Sequence, residues 1–163
     1  MPGLFTAEPA DLETVRLEPV DPVRARVLAE AVATLSPWSD LSFTAAGLET
    51  YLTRPDPALF RYAVLSGGDL AGVIGVRSPW LRGPYLEQLA ILPGFQGRGI
   101  GGGLLGWMEA RAAGRAKNLW VLSSDFNEGA LRFYEANGFE RIAPLEDLVR
   151  PGYGEILLRK RLD

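Results

Sequence analysis

Seven of the thirteen residues from Gly94 to Gly106 are glycine. They follow Leu89-Ala90-Ile91-Leu92-Pro93, and Ile100, Leu104, Leu105, Met108 and Ala112 then recur at helical spacing. Several of the glycines therefore fall in the first turn of a helix, where each costs about 1 kcal/mol relative to alanine. That cost is tolerated where a turn needs positive φ or where a partner must approach the backbone closely. The first turn of a helix carries free N–H groups and the positive end of its dipole. Missing side chains leave those donors open to an anion. The segment reads as a cradle for an oxyanion, most simply a phosphate. A tight turn with a close helix–strand contact is the plainer alternative.

Two familiar phosphate sites fit poorly. Gly97-Arg98-Gly99-Ile100-Gly101-Gly102 satisfies the dinucleotide spacing, and Asp125 lies at about the right distance. However, Pro93-Gly94-Phe95-Gln96 separates the strand from the glycines, and a hairpin block precedes that strand. Only the 61 residues from 103 to 163 remain, too few for a doubly wound sheet. A nucleoside-triphosphate loop needs Gly-Lys-Ser/Thr, and the two lysines are Lys117 and Lys160.

The rest of the composition narrows the chemistry. The chain has 163 residues with no Cys and no His. That excludes thiolate nucleophiles, a Ser-His-Asp triad and the usual metal ligands, so no metal is expected. Proton transfer must run through Asp, Glu, Tyr, Lys or water. The net charge is -3, from 17 basic and 20 acidic side chains, which argues against a nucleic-acid partner. The start Met-Pro-Gly-Leu-Phe-Thr-Ala-Glu does not read as a signal peptide, and the longest apolar stretch, Leu70 to Val76, is too short to span a membrane. A soluble cytoplasmic protein without a membrane partner is expected, as a single domain over 1–163.

The elements that must hold the cradle are legible from spacing and punctuation. A strand is predicted over Thr14–Glu18. A helix follows from Asp21-Pro22 to about Leu35, with Val23, Val27, Ala31 and Leu35 on one stripe. A second helix is predicted over Thr44–Thr53. Phe60–Leu65 and Leu70–Val76 flank Ser66-Gly67-Gly68-Asp69 and predict a hairpin. Strands are predicted over Tyr85–Leu92, Asn118–Ser123, Phe139–Ala143 and Glu155–Arg161, and helices over Gly99–Arg115 and Glu128–Asn137. The order β-α-α-β-β-β-α-β-α-β-β is that of a mixed α/β domain.

At the cradle the sequence resembles the GCN5-related N-acetyltransferase (GNAT) superfamily. The family's Gln/Arg-x-x-Gly-x-Gly/Ala signature stands here as Gln96-Gly97-Arg98-Gly99-Ile100-Gly101, after Leu89-Ala90-Ile91-x-Pro93. A second segment, Asn127-Glu128-Gly129-Ala130-Leu131-Arg132-Phe133-Tyr134-Glu135-Ala136-Asn137-Gly138-Phe139, is similar to the family's Asn-x-x-Ala-x-x-Phe-Tyr-x-x-x-Gly-Phe. The resemblance implies a mostly antiparallel central sheet whose middle strands splay, with flanking helices. It implies acetyl-CoA as cofactor and CoA as product, with the diphosphate on the amides of residues 97 to 102, Gly102 among them. The pantetheine arm would lie along Leu89, Ala90 and Ile91, with the Ile91 N–H polarising the thioester carbonyl. Asn127, Ala130 and Phe133 would complete the cofactor site.

The resemblance also distributes the proton work. Tyr134 matches the family's Tyr near the sulfur and is the expected general acid; the plainer alternative is a core aromatic. Glu87, in Tyr85-Leu86-Glu87-Gln88-Leu89, is similar to the Tyr-Leu-Glu-Asp of polyamine acetyltransferases, where the Glu is the base. Burial in an otherwise apolar strand would suit it to that role, directly or through water. The plainer alternative is a glutamate on the solvent face. Some ribosomal-protein acetyltransferases place a Glu on the next strand, where this chain has Leu122; Asp125 is a backup base.

The implied reaction is acetyl transfer to a primary amine of a small molecule or peptide, by direct attack in a ternary complex. Candidate acceptor residues are Trp38, Phe43, Trp80 and Tyr85, with Glu146, Asp147 and Tyr153 in the segment between the last strands. The acceptor itself is left open among amino acids, polyamines, aminoglycosides and protein N-termini. Dimers are common in the family, which leaves a homodimer open. A non-catalytic acyl-CoA-binding module and an NAD(P)-dependent enzyme are the alternatives.

Overall fold

A computed structural model describes residues 3–163; of the single-domain expectation over 1–163, Met1 and Pro2 lie outside the described residues. In chain order the elements are β1 (Ala10–Asp11), β2 (Arg16–Pro19), α1 (Pro22–Val32), α2 (Ala45–Thr53), β3 (Leu59–Ser66), β4 (Asp69–Arg77), β5 (Tyr85–Ile91), α3 (Ile100–Ala112), β6 (Asn118–Ser124), α4 (Glu128–Ala136), β7 (Glu140–Glu146) and β8 (Gly154–Arg161). The strands form one sheet in the order β1-β2-β3-β4-β5-β6-β8-β7. The two-residue β1, which pairs with β2, carries no periodic signal and was not anticipated.

Local chemistry starts the helices where expected. Asp21 caps α1 by accepting the Arg24 N–H at 2.9 Å, with Pro22 in the first turn. Thr44 caps α2 through the Gly47 N–H at 3.0 Å, and Asn127 caps α4 through the Ala130 N–H at 3.2 Å. The β3–β4 hairpin turns on Gly67 and Gly68, whose φ values of 59° and 86° side-chain-bearing residues rarely adopt.

Two features open the sheet. β5 and β6 are its parallel pair and share only two register positions, Tyr85 with Trp120 and Leu86 with Val121. Beyond Leu86 they part. Against β4, Gly75 pairs with Gln88 but Val76 pairs with Leu86, so Glu87 is an extra, bulged residue. A bulge bends its strand and increases local twist. The bend therefore sits where β5 leaves β6.

The sheet has a core on each face. On one, Ile100, Leu104 and Met108 of α3 and Leu131 of α4 pack on Ile74, Leu86, Leu119 and Leu158. On the other, Leu28 and Val32 of α1 and Leu48 and Leu52 of α2 pack on Ala63, Val73 and Ala90. The stripe expected to anchor α1 is not the buried one. Val23 and Val27 are 76% and 50% exposed, and α1 buries Ala25, Leu28, Ala29 and Val32 instead. Both stripes have helical spacing. The buried one carries two alanines, whose small side chains let the helix axis approach its neighbours. Helix α1 also ends at Val32, not Leu35: Thr34 and Leu35 already make tight i−3 bonds to Ala31 and Val32.

No helix of the described residues is long and apolar enough to cross a membrane.

Candidate functional site

The cradle forms as a run of unsatisfied amides. Gly97 and Gly99 hold φ values of 75° and 78° in the turn ahead of α3, a left-handed backbone that glycine adopts freely. Gly99 caps α3 without a side-chain hydrogen bond. The first bond of that helix is Gly103 N–H to Gly99 O at 3.0 Å. From Gly99 to Gly102, no main-chain N–H has an acceptor among the described residues. A Cβ on Gly101 would meet the Phe133 ring at 3.0 Å, so this turn also packs tightly on α4.

The parted strands expose a second set of main-chain groups. Leu92 N–H donates to Ala71 O at 2.8 Å, and hydrogen-bonded pairs alternate along an antiparallel ladder. The N–H and C=O groups of Leu89 and Ile91 therefore face away from β4, into the gap. Gln96 Nε2 donates to Ile91 O at 2.9 Å and ties the cradle to the strand. The Ile91 N–H and both groups of Leu89 stay open. By the same alternation, the Asp125 N–H bond to Gly154 O at 3.0 Å leaves the main chain of Leu122 facing the gap from β6.

A cavity of about 720 Å³ joins these features. Leu89, Ala90 and Ile91 form one wall; Gln96, Gly97, Gly99, Ile100, Gly101 and Gly102 form the floor; Asn127, Ala130, Phe133 and Tyr134 form the far wall. Arg98 does not line it, and its guanidinium lies over the Phe95 ring, 5.2 Å from the centroid. Leu35, Ser36 and Pro37 close the top and were not foreseen. The proline announced a break after α1, but nothing local says that the break folds over the cradle.

A smaller cavity of about 180 Å³ adjoins the first at the point where the strands part. Trp38 and Tyr134 line both. Tyr134 is only 7% exposed, in contact with Phe133 and Phe139, so it is core and cavity wall at once. Burial pushes its hydroxyl pKa up. Phe43, Tyr85 and Glu87 also line the smaller cavity. Trp80 lines neither; it stacks on Tyr85 at 4.7 Å between centroids and meets Trp120 edge-on at 5.7 Å, buttressing the Tyr85 wall. Asp125, Glu146 and Tyr153 lie in a separate outer cleft with Asp40, while Asp147 accepts the Gly152 N–H at 2.6 Å within the β7–β8 turn.

Glu87 is neither on a solvent face nor in apolar surroundings. Its Oε2 lies 3.1 Å from Arg77 Nη2 and accepts the Tyr51 hydroxyl at 3.3 Å. Its Oε1 accepts from Arg77 Nη2 at 3.3 Å. Arg77 also reaches Asp56 at 3.0 Å. Burial, reinforced by the Glu87 charge, pushes the Tyr51 hydroxyl pKa up.

A second carboxylate went unnoticed in the sequence. Glu155, at the start of β8, is 6% exposed and lines the smaller cavity. Its Oε2 has no hydrogen-bond partner, nor does Ser124 Oγ opposite it in register. Burial raises the Glu155 pKa; Asp125 adds to the rise and the nearby Ser124 hydroxyl opposes it. The sequence shows Glu155 only as the first residue of a closing strand.

Several solved acetyltransferases share this fold. The ribosomal L7/L12 α-N-protein acetyltransferase RimL, solved with coenzyme A, has a TM-score of 0.75 at 15% identity, covering 96% of this chain and 99% of its own. An acetyltransferase from Thermus thermophilus has a TM-score of 0.73 at 21% identity, over 94% and 100% of the two chains. A GNAT acetyltransferase from Elizabethkingia anophelis, solved with acetyl-CoA, has a TM-score of 0.66 at 19% identity, over 92% and 99%. No curated protein matches. The family model described as "Acetyltransferase (GNAT) family" matches residues 25–139, more than half of the chain. The chain belongs to that family.

Proposed function

We propose that the protein transfers an acetyl group from acetyl-CoA to a primary amine of a small molecule or peptide, by direct attack in a ternary complex. The observation that carries this reading is the run of unpartnered amides from Gly99 to Gly102, on the floor of a cavity that continues into the strand gap. Those amides suit a diphosphate. The open main-chain groups of Leu89 and Ile91 suit an amide-bearing arm lying as an extra strand. Asn127, Ala130 and Phe133 would wall that arm in. The residues present therefore fit acetyl-CoA.

Bound acetyl-CoA would supply an activated acyl group: the amine nitrogen forms the amide bond, the carbon–sulfur bond breaks, and sulfur leaves with the electron pair. The Ile91 N–H, unpaired in the gap, would hold developing charge on the acyl oxygen. Tyr134 Oη, at the junction of the cavities, would give its proton to the leaving sulfur. Burial keeps that hydroxyl in its protonated form. Trp38, Phe43 and Tyr85 would hold the apolar part of the acceptor. Glu87 lines the same wall with its carboxylate paired to Arg77 and bonded to Tyr51.

Thermal shifts with acetyl-CoA, CoA, NAD and ATP test this reading. Ligand at a hundred times its dissociation constant adds about 2.7 kcal/mol of stability. A shift with both CoA ligands and thiol release with an amine are expected. A shift with NAD alone overturns the reading, and CoA binding without thiol release from any amine reduces it to a binding module.

A further inference from the structure

We infer that Glu155 seats the acceptor's ammonium group and takes its proton, and that the acceptor is therefore cationic when it binds. This rests on the acetyl-transfer reading and names a residue and an acceptor charge for it. Glu155 Oε2 is buried with no partner, in a residue only 6% exposed. A buried carboxylate oxygen without a partner is costly, and a cationic ligand is the simplest group that removes the cost. No lysine or arginine lines this cavity. Around Glu155 lie Ser124 at the end of β6 and Asp125 just after it, with Tyr85 and Glu87 from β5 and Tyr134 from α4 on the same cavity. Its register partner on β7 is Leu145. None of these is a cation.

The two carboxylates of the cavity are thus unequal. Arg77 balances Glu87 from behind the wall, and both Glu87 oxygens are engaged. No cation balances Glu155, whose neighbouring donor is the Ser124 hydroxyl. An entering ammonium would meet Glu155 as the open acceptor, with Tyr134 lining the same cavity. In the proton step an N–H bond of the ammonium breaks and an O–H bond forms on Glu155. The electron pair stays on nitrogen, which becomes the neutral nucleophile that acyl transfer requires. Glu155 then releases the proton to water. Asp125, in the separate acidic cleft with Asp40 and Glu146, adds to the negative field at Glu155.

Two arms test the assignment on the full chain. In the first, carbon-13 carboxyl NMR follows Glu155, its resonance assigned by loss in Glu155→Gln, with CoA present and n-propylamine as probe. The resonance should titrate above the exposed glutamates and shift when the amine is added. Titration with the exposed glutamates and indifference to the amine overturn the proposal. In the second, kcat and KM are measured against pH with a panel of primary amines. Glu155→Gln should lower kcat/KM by about 100-fold or more and flatten the acid limb, with partial recovery in Glu155→Asp. Glu87→Gln should cost less than about 10-fold and keep that limb. Retention of the wild-type profile in Glu155→Gln, or loss of the acid limb only in Glu87→Gln, overturns the proposal. Calorimetry with CoA separates the levels of failure. Wild-type protein that does not bind CoA removes the acetyl-transfer reading and this one with it. Normal CoA binding with a negative Glu155 result removes this one alone.

Discussion

Arg77 Nη2 lies 3.1 Å from Glu87 Oε2 across the bulge that parts β5 from β6. Arg77 therefore holds both the charge and the direction of a carboxylate in the acceptor wall. Its other nitrogen fixes it to Asp56 at 3.0 Å, in the segment after α2. All three side chains are about one-fifth to one-quarter exposed, so the network sits between a surface pair and a buried one. Arg77→Ala should cost about 2 kcal/mol in urea unfolding. A loss under about 0.5 kcal/mol would make the network a surface ornament.

The Tyr51 hydroxyl reaches Glu87 because residue 75 has no side chain. A Cβ on Gly75 would lie 2.8 Å from Tyr51 Oη. Gly75→Ala must push the ring aside and break the bond to Glu87. We expect a destabilisation of about 1–3 kcal/mol. Denaturant melts read the cost, and a neutral result would show that the ring has room to move.

Gly102→Asp separates stability from binding. A Cβ on Gly102 meets nothing closer than Asn137 Oδ1 at 3.9 Å. An aspartate in the first turn of α3 complements the helix dipole and should hold or raise stability by about 0.3–1 kcal/mol. The same charge competes with a diphosphate for the free amides. CoA titration calorimetry should show affinity down by about tenfold or more while the melting temperature holds. Unchanged affinity would move the anion site away from α3.

Tyr134→Phe removes a hydroxyl with no hydrogen-bond partner among the described residues, inside an aromatic cluster. Stability should stay within about 1 kcal/mol of wild type. Turnover should fall by about 100-fold with CoA affinity retained. Stopped-time thiol release gives the answer; a variant within about threefold of wild type would leave Tyr134 as a packing residue.

Glu155 makes stability depend on pH with a definite sign. Its folded pKa is raised, with burial the main cause. Below the unfolded value the group is protonated in both states and carries no penalty. As pH rises from the unfolded value towards the folded one, only the unfolded chain gives up the proton and wild-type stability falls; above the folded value both states are ionised and the loss is complete. Glu155→Gln cannot ionise. Its melting temperature should exceed wild type at about pH 8 and converge with it at about pH 4, near the ordinary carboxylate value. Parallel melting curves at every pH would place the carboxylate in solvent.

Contiguous features of the site were legible in the chain. The glycine cluster, the Asn127 cap, the strand before the cradle and the buried face of α3 all lie in single stretches. Their meaning is set by 3.6-residue periodicity and by donors that a helix start leaves free. The side chains that meet across elements were not legible. Arg77 finds Glu87 only through the β4–β5 register, and Glu155 enters the cavity only because β8 lies beside β6.

The sequence by itself determined the helix starts, the hairpin, the bare amides and the family's two motifs, because each depends on neighbours a few residues apart. Tertiary structure alone decided which stripe of α1 is buried, that Trp80 props Tyr85 rather than lining the cavity, and which carboxylate is left without a partner. Two apolar stripes at the same spacing look alike in a sequence. Only packing, which brings distant residues within contact range and removes water from between them, makes one of them core and makes one charge costly.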